Sequence, residues 1–254
     1  MAVYVNQPLV PITYLRPKQA LFERVASAVE GGRNLAGQTV SMAITGGGYV
    51  RCTYSDCVLE RDDTERHEVV EWLAQRGNGS FRFFTVPIIN RDIGPFPSIN
   101  GRKRPVITGI PHSDGSLFSD GSGYSQATVF GKVLSTASVG AGQMSIRLYG
   151  AARDLRWSDW FSILHPTKGW RAYAYWEVIS KSAQGSEIVG GVDLSYRDYT
   201  LAIGPALREA VSAGDYVEFS APRCVMKFAP DFSLSTGFSG FLSARPTLQF
   251  VEAF

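Results

Sequence analysis

Residues 39–60, TVSMAITGGGYVRCTYSDCVLE, followed by EVVEWLAQRG at 68–77 and SFRFFTVP at 80–87, decide how this chain is read. The first segment alternates. Tyr49, Arg51, Thr53 and Ser55 fall on one side, and Val50, Cys52 and Tyr54 on the other. A period of two places successive side chains on opposite faces of a strand. Two strands are therefore predicted around a Gly46-Gly47-Gly48 turn. The second segment changes period: Val69, Val70, Trp72 and Leu73 gather on one helical face. Asp62 and Glu65 stand at capping-box spacing, and Gly77 sits where a helix end favours positive φ. A strand over 80–87 comes next, ended by Pro87.

Around this strand–strand–helix–strand block, composition bounds the rest. A chain of 254 residues accommodates two domains, or one with a large insertion. Apolar residues at 44%, charged residues at 19% and aromatics at 12% exclude a disordered chain. A net charge of +2 gives no electrostatic grip on nucleic acid or acidic lipid. The 26 Gly and 13 Pro imply frequent turns, the punctuation of a protein of short strands. Met1 to Arg16 lacks the basic-then-apolar layout of a secretory signal. No run approaches the ~18 apolar residues of a membrane span. Cys52, Cys57 and Cys224 cannot all pair and form no CxxC, so buried free thiols in a reducing cytoplasm are expected rather than zinc or a disulfide framework.

From Asn90 to Tyr124 the chain is rich in Pro, Gly, Ser, Asp and Asn and poor in apolar anchors, the pattern of a linker or exposed loop. Strands are then expected at 126–135, 143–149, 158–164, 171–180, 187–194, 198–203 and 215–220. This is roughly the 8–12-residue spacing of a sandwich or barrel. Ser158 to Ile163 and Gly214 to Phe219 look alike, each a polar turn entering an aromatic strand, a likeness common within one barrel. Lys18 to Glu30 stays open on periodicity: Leu21, Phe22, Val25, Ala26, Ala28 and Val29 fit a helix, and the Val and Phe content fits a strand.

Candidate chemistry is sparse. Asp62, Asp63, Glu65, Glu68 and Glu71 cluster, but on the first turns and outer face of the predicted helix, where they complement its dipole. His67, His112 and His165 have no mutual metal-ligand spacing. Cys57 precedes His67 by ten residues without a motif for a thiol nucleophile. GxSxG, P-loop and GxGxxG patterns are missing, and the triple glycine leads into a strand rather than a helix. No catalytic, cofactor or metal site is expected. One aromatic group carries a functional alternative: Trp157, Trp160, Trp170, Tyr173, Tyr175 and Trp176. Tyr173 and Tyr175 share a face of a regular strand, and such rings suit either a sugar-stacking platform or, preferably, a barrel core or protein interface.

The order strand–turn–strand, EVVEWLAQRG, then a strand from Gly to FRFF ending at Pro87 resembles the small distal tail proteins of long-tailed phages, in particular the lambda minor tail protein M family. CVMKF at 224–228 and PTLQFVEAF at 246–254 look like the closing strands of that family's split barrel. WSDWFSI, YAYWEVIS and AIGPALREAVSAGDYVEF resemble the second β domain of Dit-like distal tail proteins. The resemblance implies a mainly β chain: a tail-tube-like split β-barrel with one packed helix (1–92 and 223–254), a linker at 93–125, and an inserted all-β barrel or sandwich at 126–222. It implies a strand over 18–30. It also implies a structural virion protein at the tail tip, made in the host cytoplasm, that forms a ring, most readily a hexamer, joining the tail tube protein to hub or tip proteins. Heterologous contacts whose rotation closes on itself build such a ring without any cofactor. The alternative implied by the aromatics is a tail-associated module that binds host surface glycan.

Overall fold

The computed structural model describes residues 3–26, 28–43, 47–60, 62–89, 93–230 and 245–254. Strands hold 46% of the described residues and helices 8%, so the protein is mainly β as expected. The chain begins with α1 (Ile12–Leu15), β1 (Gln19–Val25), β2 (Ala28–Arg33), β3 (Thr39–Ala43), β4 (Tyr49–Ser55), α2 (Thr64–Gly77) and β5 (Phe84–Pro87). Next come β6 (Ser98–Ile99), β7 (Arg102–Lys103), β8 (Val106–Ile110), β9 (Tyr124–Ala127), β10 (Phe130–Val133) and β11 (Gln143–Tyr149). The remaining strands are β12 (Trp160–His165), β13 (Gly169–Lys181), β14 (Gly185–Val189), β15 (Val192–Gly204), β16 (Tyr216–Glu218), β17 (Arg223–Phe228) and β18 (Leu248–Glu252).

Two compact units result. The first comprises Met1–Ile88, Pro166–Arg171 and Arg223–Phe254, and the second Ile89–His165 and Ala172–Pro222. The division expected from sequence ran at 92 and 222. Pro166–Arg171, expected inside the 126–222 stretch, groups instead with the first unit.

The first unit is an antiparallel sheet in the order β1-β4-β18-β17-β5. Within the stretch left open by periodicity, Gln19–Val25 and Ala28–Glu30 are strand, not helix, because the first pairs in register with β4 and the second with β3. The alternation of β4 holds: Val50, Cys52 and Tyr54 are buried and the intervening residues half-buried. The triple glycine, however, is not the reversal of a hairpin between β3 and β4; Gly46 itself lies outside the described residues. β4 pairs with β1 and β3 with β2, so these four strands form one long interrupted hairpin. Its tip is Asn34–Gln38, where Asn34 Oδ1 accepts from the amides of Ala36 (3.0 Å) and Gln38 (2.9 Å). Gly48 serves a close approach instead: a Cβ there would stand 2.0 Å from the Val25 carbonyl oxygen.

Helix α2 lies on this sheet through Arg66, Val70, Leu73 and Gly77, the i, i+4, i+7, i+11 stripe. Its cap is Asp63, not Asp62: the Asp63 carboxylate accepts from the Arg66 amide and pairs with the Arg66 guanidinium at 2.8 Å. Gly77 also differs from expectation. It is the last helical residue, and Asn78 adopts the left-handed conformation after it. Glycine is needed at 77 because the Phe228 ring passes 2.5 Å from where a Cβ would be. Phe228 stacks on Phe250 at 4.9 Å, with Phe84 edge-on at 5.4 Å. Leu248, Phe250 and Glu252 are all buried, as β18 runs through the middle of the sheet between β4 and β17. At one margin Pro8–Val10 pairs with Thr85 of β5; β1 forms the other.

Arg171 and Glu252, 1% and 0% exposed in their side chains, form an ion pair at 3.4 Å within this unit. Arg171 also donates to the carbonyls of Ala253 (2.6 Å) and Lys168 (3.0 Å), and the other Glu252 oxygen accepts from the Val50 amide at 3.1 Å. The guanidinium lies over the Tyr4 ring, 5.1 Å from its centroid.

The second unit is a closed six-stranded barrel. β11-β10-β16-β12-β13-β15 run in order and the β11–β15 pairing shuts the ring, with β14 added to the outer part of β15. Met144, Ile146, Leu148, Phe161, Ile163, Tyr173, Tyr175, Leu201, Ile203 and Val217 fill the interior. The strand expected at 187–194 is a hairpin. Gly190 and Gly191 both have positive φ, as a two-residue turn matched to strand twist requires, and Val189 faces Val192. Residues 93–125, expected as linker or loop, carry two hairpins, β6–β7 and β8–β9. Two copies of one turn order the longer of these. In HSDGS (112–116) and FSDGS (118–122) each Asp accepts from the amide and hydroxyl of the second Ser, and each Gly has positive φ. His112, Phe118 and Tyr124 pack edge to face with centroids 4.8–5.0 Å apart. Turn chemistry and a three-ring cluster replace the apolar anchors that the segment lacks.

Two substitutions test the first unit. Gly77→Ala, despite alanine's better helix propensity, lowers stability by about 1–3 kcal/mol through overpacking against Phe228, read from a denaturant melt. Arg171→Ala costs about 3–5 kcal/mol because it strands a buried carboxylate, and the pair Arg171→Met with Glu252→Leu recovers most of that loss.

Candidate functional site

The six aromatics singled out in the sequence do not form one platform. Tyr173 and Tyr175 do share a strand face, but it is the barrel interior, and they are 0% and 3% exposed. Tyr173 shares a hydrogen bond of 2.8 Å with His165 Nε2 and accepts from the Arg208 amide at 3.1 Å. Trp160 is half-buried. Trp170 belongs to the first unit, packed on the Tyr4–Val225–Ala253 cluster with the Arg223 guanidinium 4.5 Å over its ring. Trp157 and Trp176 are exposed, the latter beside a register shift in β13. The core reading of these rings thus holds for Tyr173 and Tyr175, and the shared-face platform they would have supplied is filled by the barrel's own packing.

The acidic cluster at 62–71 stays on α2 and its entry, where Asp63 serves as the cap. Burial pushes the Cys57 thiol up to about 12, with Asp56 adding to the rise, and burial raises Cys52 further. Neither supplies a thiolate near neutral pH. His67 Nε2 shares a hydrogen bond of 3.0 Å with the Glu60 carbonyl. Among the described residues no three His, Cys, Asp or Glu side chains come together as a metal site, and no helix is long and apolar enough to cross a membrane.

Two features stand out instead, one in each unit. In the first, the outer half of the long hairpin, β2 with β3, carries Val29, Leu35 and Met42 in exposed positions, and all of β2 is exposed. β1, the margin strand below it, adds exposed Leu21. In the second unit, a cleft of about 240 Å³ opens at one end of the barrel between the loop after β11 and strand β15. Cross-strand partners share a face, so Ile146↔Tyr199 and Leu148↔Arg197 place Tyr199 and Arg197 on the inward row, above Leu201. The apolar filling of the barrel therefore ends in a polar layer.

That layer is tightly wired. Arg153 holds Asp159, which is 1% exposed, through two hydrogen bonds of 2.7 Å, and Asp159 keeps it firmly protonated. Asp154 accepts from Lys181 Nζ (2.9 Å), the Tyr199 hydroxyl (2.9 Å) and Arg197. Lys181 first, then Tyr199 and Arg197, hold the Asp154 carboxyl below the usual range. Burial and then the Asp154 carboxylate push the Tyr199 phenol up to about 12. The Nε–H groups of Arg153 and Arg197 are buried and make no hydrogen bond. Sequence reading missed this layer because it divided β15 into two shorter strands. The signal was present: in Arg197-x-Tyr199-x-Leu201-x-Ile203 a charged residue continues an inward row.

No protein-family model matches the sequence, and no curated protein matches it significantly.

Iodoacetamide at neutral pH leaves all three buried cysteines of the folded chain unmodified and labels each after unfolding in guanidinium, as mass spectrometry reads. Above about pH 9 the unfolded chain loses thiol protons that the folded chain keeps at Cys52 and Cys57, so stability falls as pH rises through that range.

Proposed function

We propose that this chain is a structural ring protein of a long-tailed phage tail tip, its first unit a tail-tube-like split barrel and its second an inserted β domain. The observation that carries the reading is the long hairpin of β1, β2, β3 and β4. Its inner half belongs to the sheet, while its outer half exposes Val29, Leu35 and Met42, and β2 is exposed along its whole length. Exposed apolar side chains at the end of a hairpin have a cost in a free monomer and a use in an assembly. The margin strand β1 offers backbone groups to a neighbouring chain. Two different surfaces, arm and margin, are what a heterologous contact needs, and repeated with a closing rotation such a contact builds a ring.

In this reading each copy contacts two further copies, the ring is a hexamer, and its two faces meet the tail tube protein and the hub or tip proteins. It requires no cofactor and assigns no catalytic step. The rival reading, a tail-associated module that contacts host glycan, draws support from the polar cleft of the second unit rather than from the tryptophans.

Electron microscopy of the virion tests the proposal: a sixfold ring of this chain at the tail tip is expected, and a single copy on the tail axis would overturn it. Leu35→Asp combined with Met42→Asp abolishes ring formation while changing the stability of the free chain by less than about 0.5 kcal/mol, because both side chains are exposed.

A further inference from the structure

The polar layer at the barrel end has a chemistry that the ring reading does not use. Ligand sites recur at the mouths of β-barrels, where an apolar wall meets a few convergent polar groups. Here the polar groups lining the cleft include Arg153, Asp154, Arg197 and Tyr199; Lys181 reaches Asp154 from β13, and Asp159 is held by Arg153. Arg153 and Asp159 cancel each other through a two-point contact. Lys181 and Arg197 both lean on Asp154, so one positive charge remains unbalanced at the mouth. On the opposite face of β15, Asp198 and Glu187 share Arg147, and Lys132 also acts on Glu187, so that group balances its own charges and does not offset the mouth.

Hydrogen-bond capacity points the same way. Arg153 and Arg197 each keep an Nε–H that the fold leaves unsatisfied, a costly state for a buried donor and one that an incoming oxygen relieves. Asp154, 47% exposed in its side chain, is the group that now occupies Lys181 and Arg197. Of the two tyrosines lining the cleft, Tyr199 is buried, and the Tyr196 ring has the Arg147 guanidinium 3.9 Å over one face and Gly185 packed against it. Stacking of a neutral sugar therefore has no platform here, whereas an acceptor-rich, negatively charged group has donors and charge.

We propose that this cleft binds an oxyanion carried on a polyol, either the carboxylate of an acidic sugar or the phosphate of a polyol phosphate. Lys181 and Arg197 pair with the oxyanion in exchange for part of their contact with Asp154. Gln184 and Ser195, on the cleft wall, meet the hydroxyl groups. The site belongs to the second unit alone and stands whether or not the first unit forms a ring.

Calorimetric titration of the full chain at low salt with glucuronate, glycerol 3-phosphate and glucose tests this. Saturable binding of either anion, with glucose silent, is expected, and the anion that binds identifies the source. Affinity in the millimolar range suits so small a probe. Arg197→Gln weakens the binding about tenfold or more, as loss of a charged hydrogen-bond donor does. Asp154→Asn strengthens it several-fold, because it removes the internal competitor while keeping the side-chain shape. A purely structural salt bridge would instead give lower melting temperature and no gain in affinity. The proposal is overturned if neither anion binds, if glucose binds as tightly, or if Asp154→Asn, folded by circular dichroism, binds more weakly than the parent.

Discussion

A guanidinium and a carboxylate that have both left water hold three distant parts of the chain in one unit. Arg171 arrives from the start of β13, Glu252 from the end of β18, and the Val50 amide that Glu252 engages from β4. Desolvating two ions costs several kcal/mol each, and their attraction repays this only when the remaining donors and acceptors are also satisfied. Here they are in large part: the Ala253 and Lys168 carbonyls take two of the guanidinium's N–H groups, and Tyr4 covers its face. Such an arrangement contributes little net stability compared with an apolar isostere. What it contributes is selectivity, because an alternative packing that misplaces either partner leaves a naked charge in the core.

The rest of the first unit is built around that arrangement. β18 is central, flanked by β4 and β17, and its inward residues form the aromatic stack on which α2 rests. The glycines at 48, 77 and 169 are the points where this close packing brings backbone or ring against backbone. At Gly169, for example, a Cβ would stand 2.4 Å from the Tyr4 carbonyl oxygen. None of these positions is a loop glycine in the ordinary sense.

Much of this architecture was legible because local rules and tertiary packing agree. β4 alternates in sequence and in burial, and the barrel strands appear near their expected places; in α2, Val70 and Leu73 are buried as their spacing implies, whereas Trp72, expected on the same face, is exposed and Arg66 and Gly77 complete the buried stripe. Misreadings arose where the deciding contact is remote. Gly46-Gly47-Gly48 looks like a hairpin turn, but pairing partners are set by β1 and β2, and the reversal sits at an Asn34 turn without a double-glycine signal. Gly77 looks like a helix terminator, yet its reason is a ring 151 positions later in the chain, Phe228. The 93–125 stretch looks unstructured by apolar content, though its Asp-Gly pairs specify turns. The cleft was hidden for a related reason: Asp154 meets Lys181 and Arg197 only once the barrel closes.

The interleaving of the first unit has a consequence for how the chain is made. Val50 and its partner Glu252 are separated by 202 positions. During synthesis β1, β4 and α2 therefore emerge long before β17 and β18 exist, with their apolar faces uncovered. The second unit lies almost wholly between these segments in sequence and has its own core. Its barrel can form on the ribosome first, reversing the usual order in which the N-terminal part folds ahead of later segments. In the interval, the early strands are the ones exposed to chaperones and to pairing with nascent copies on the same message.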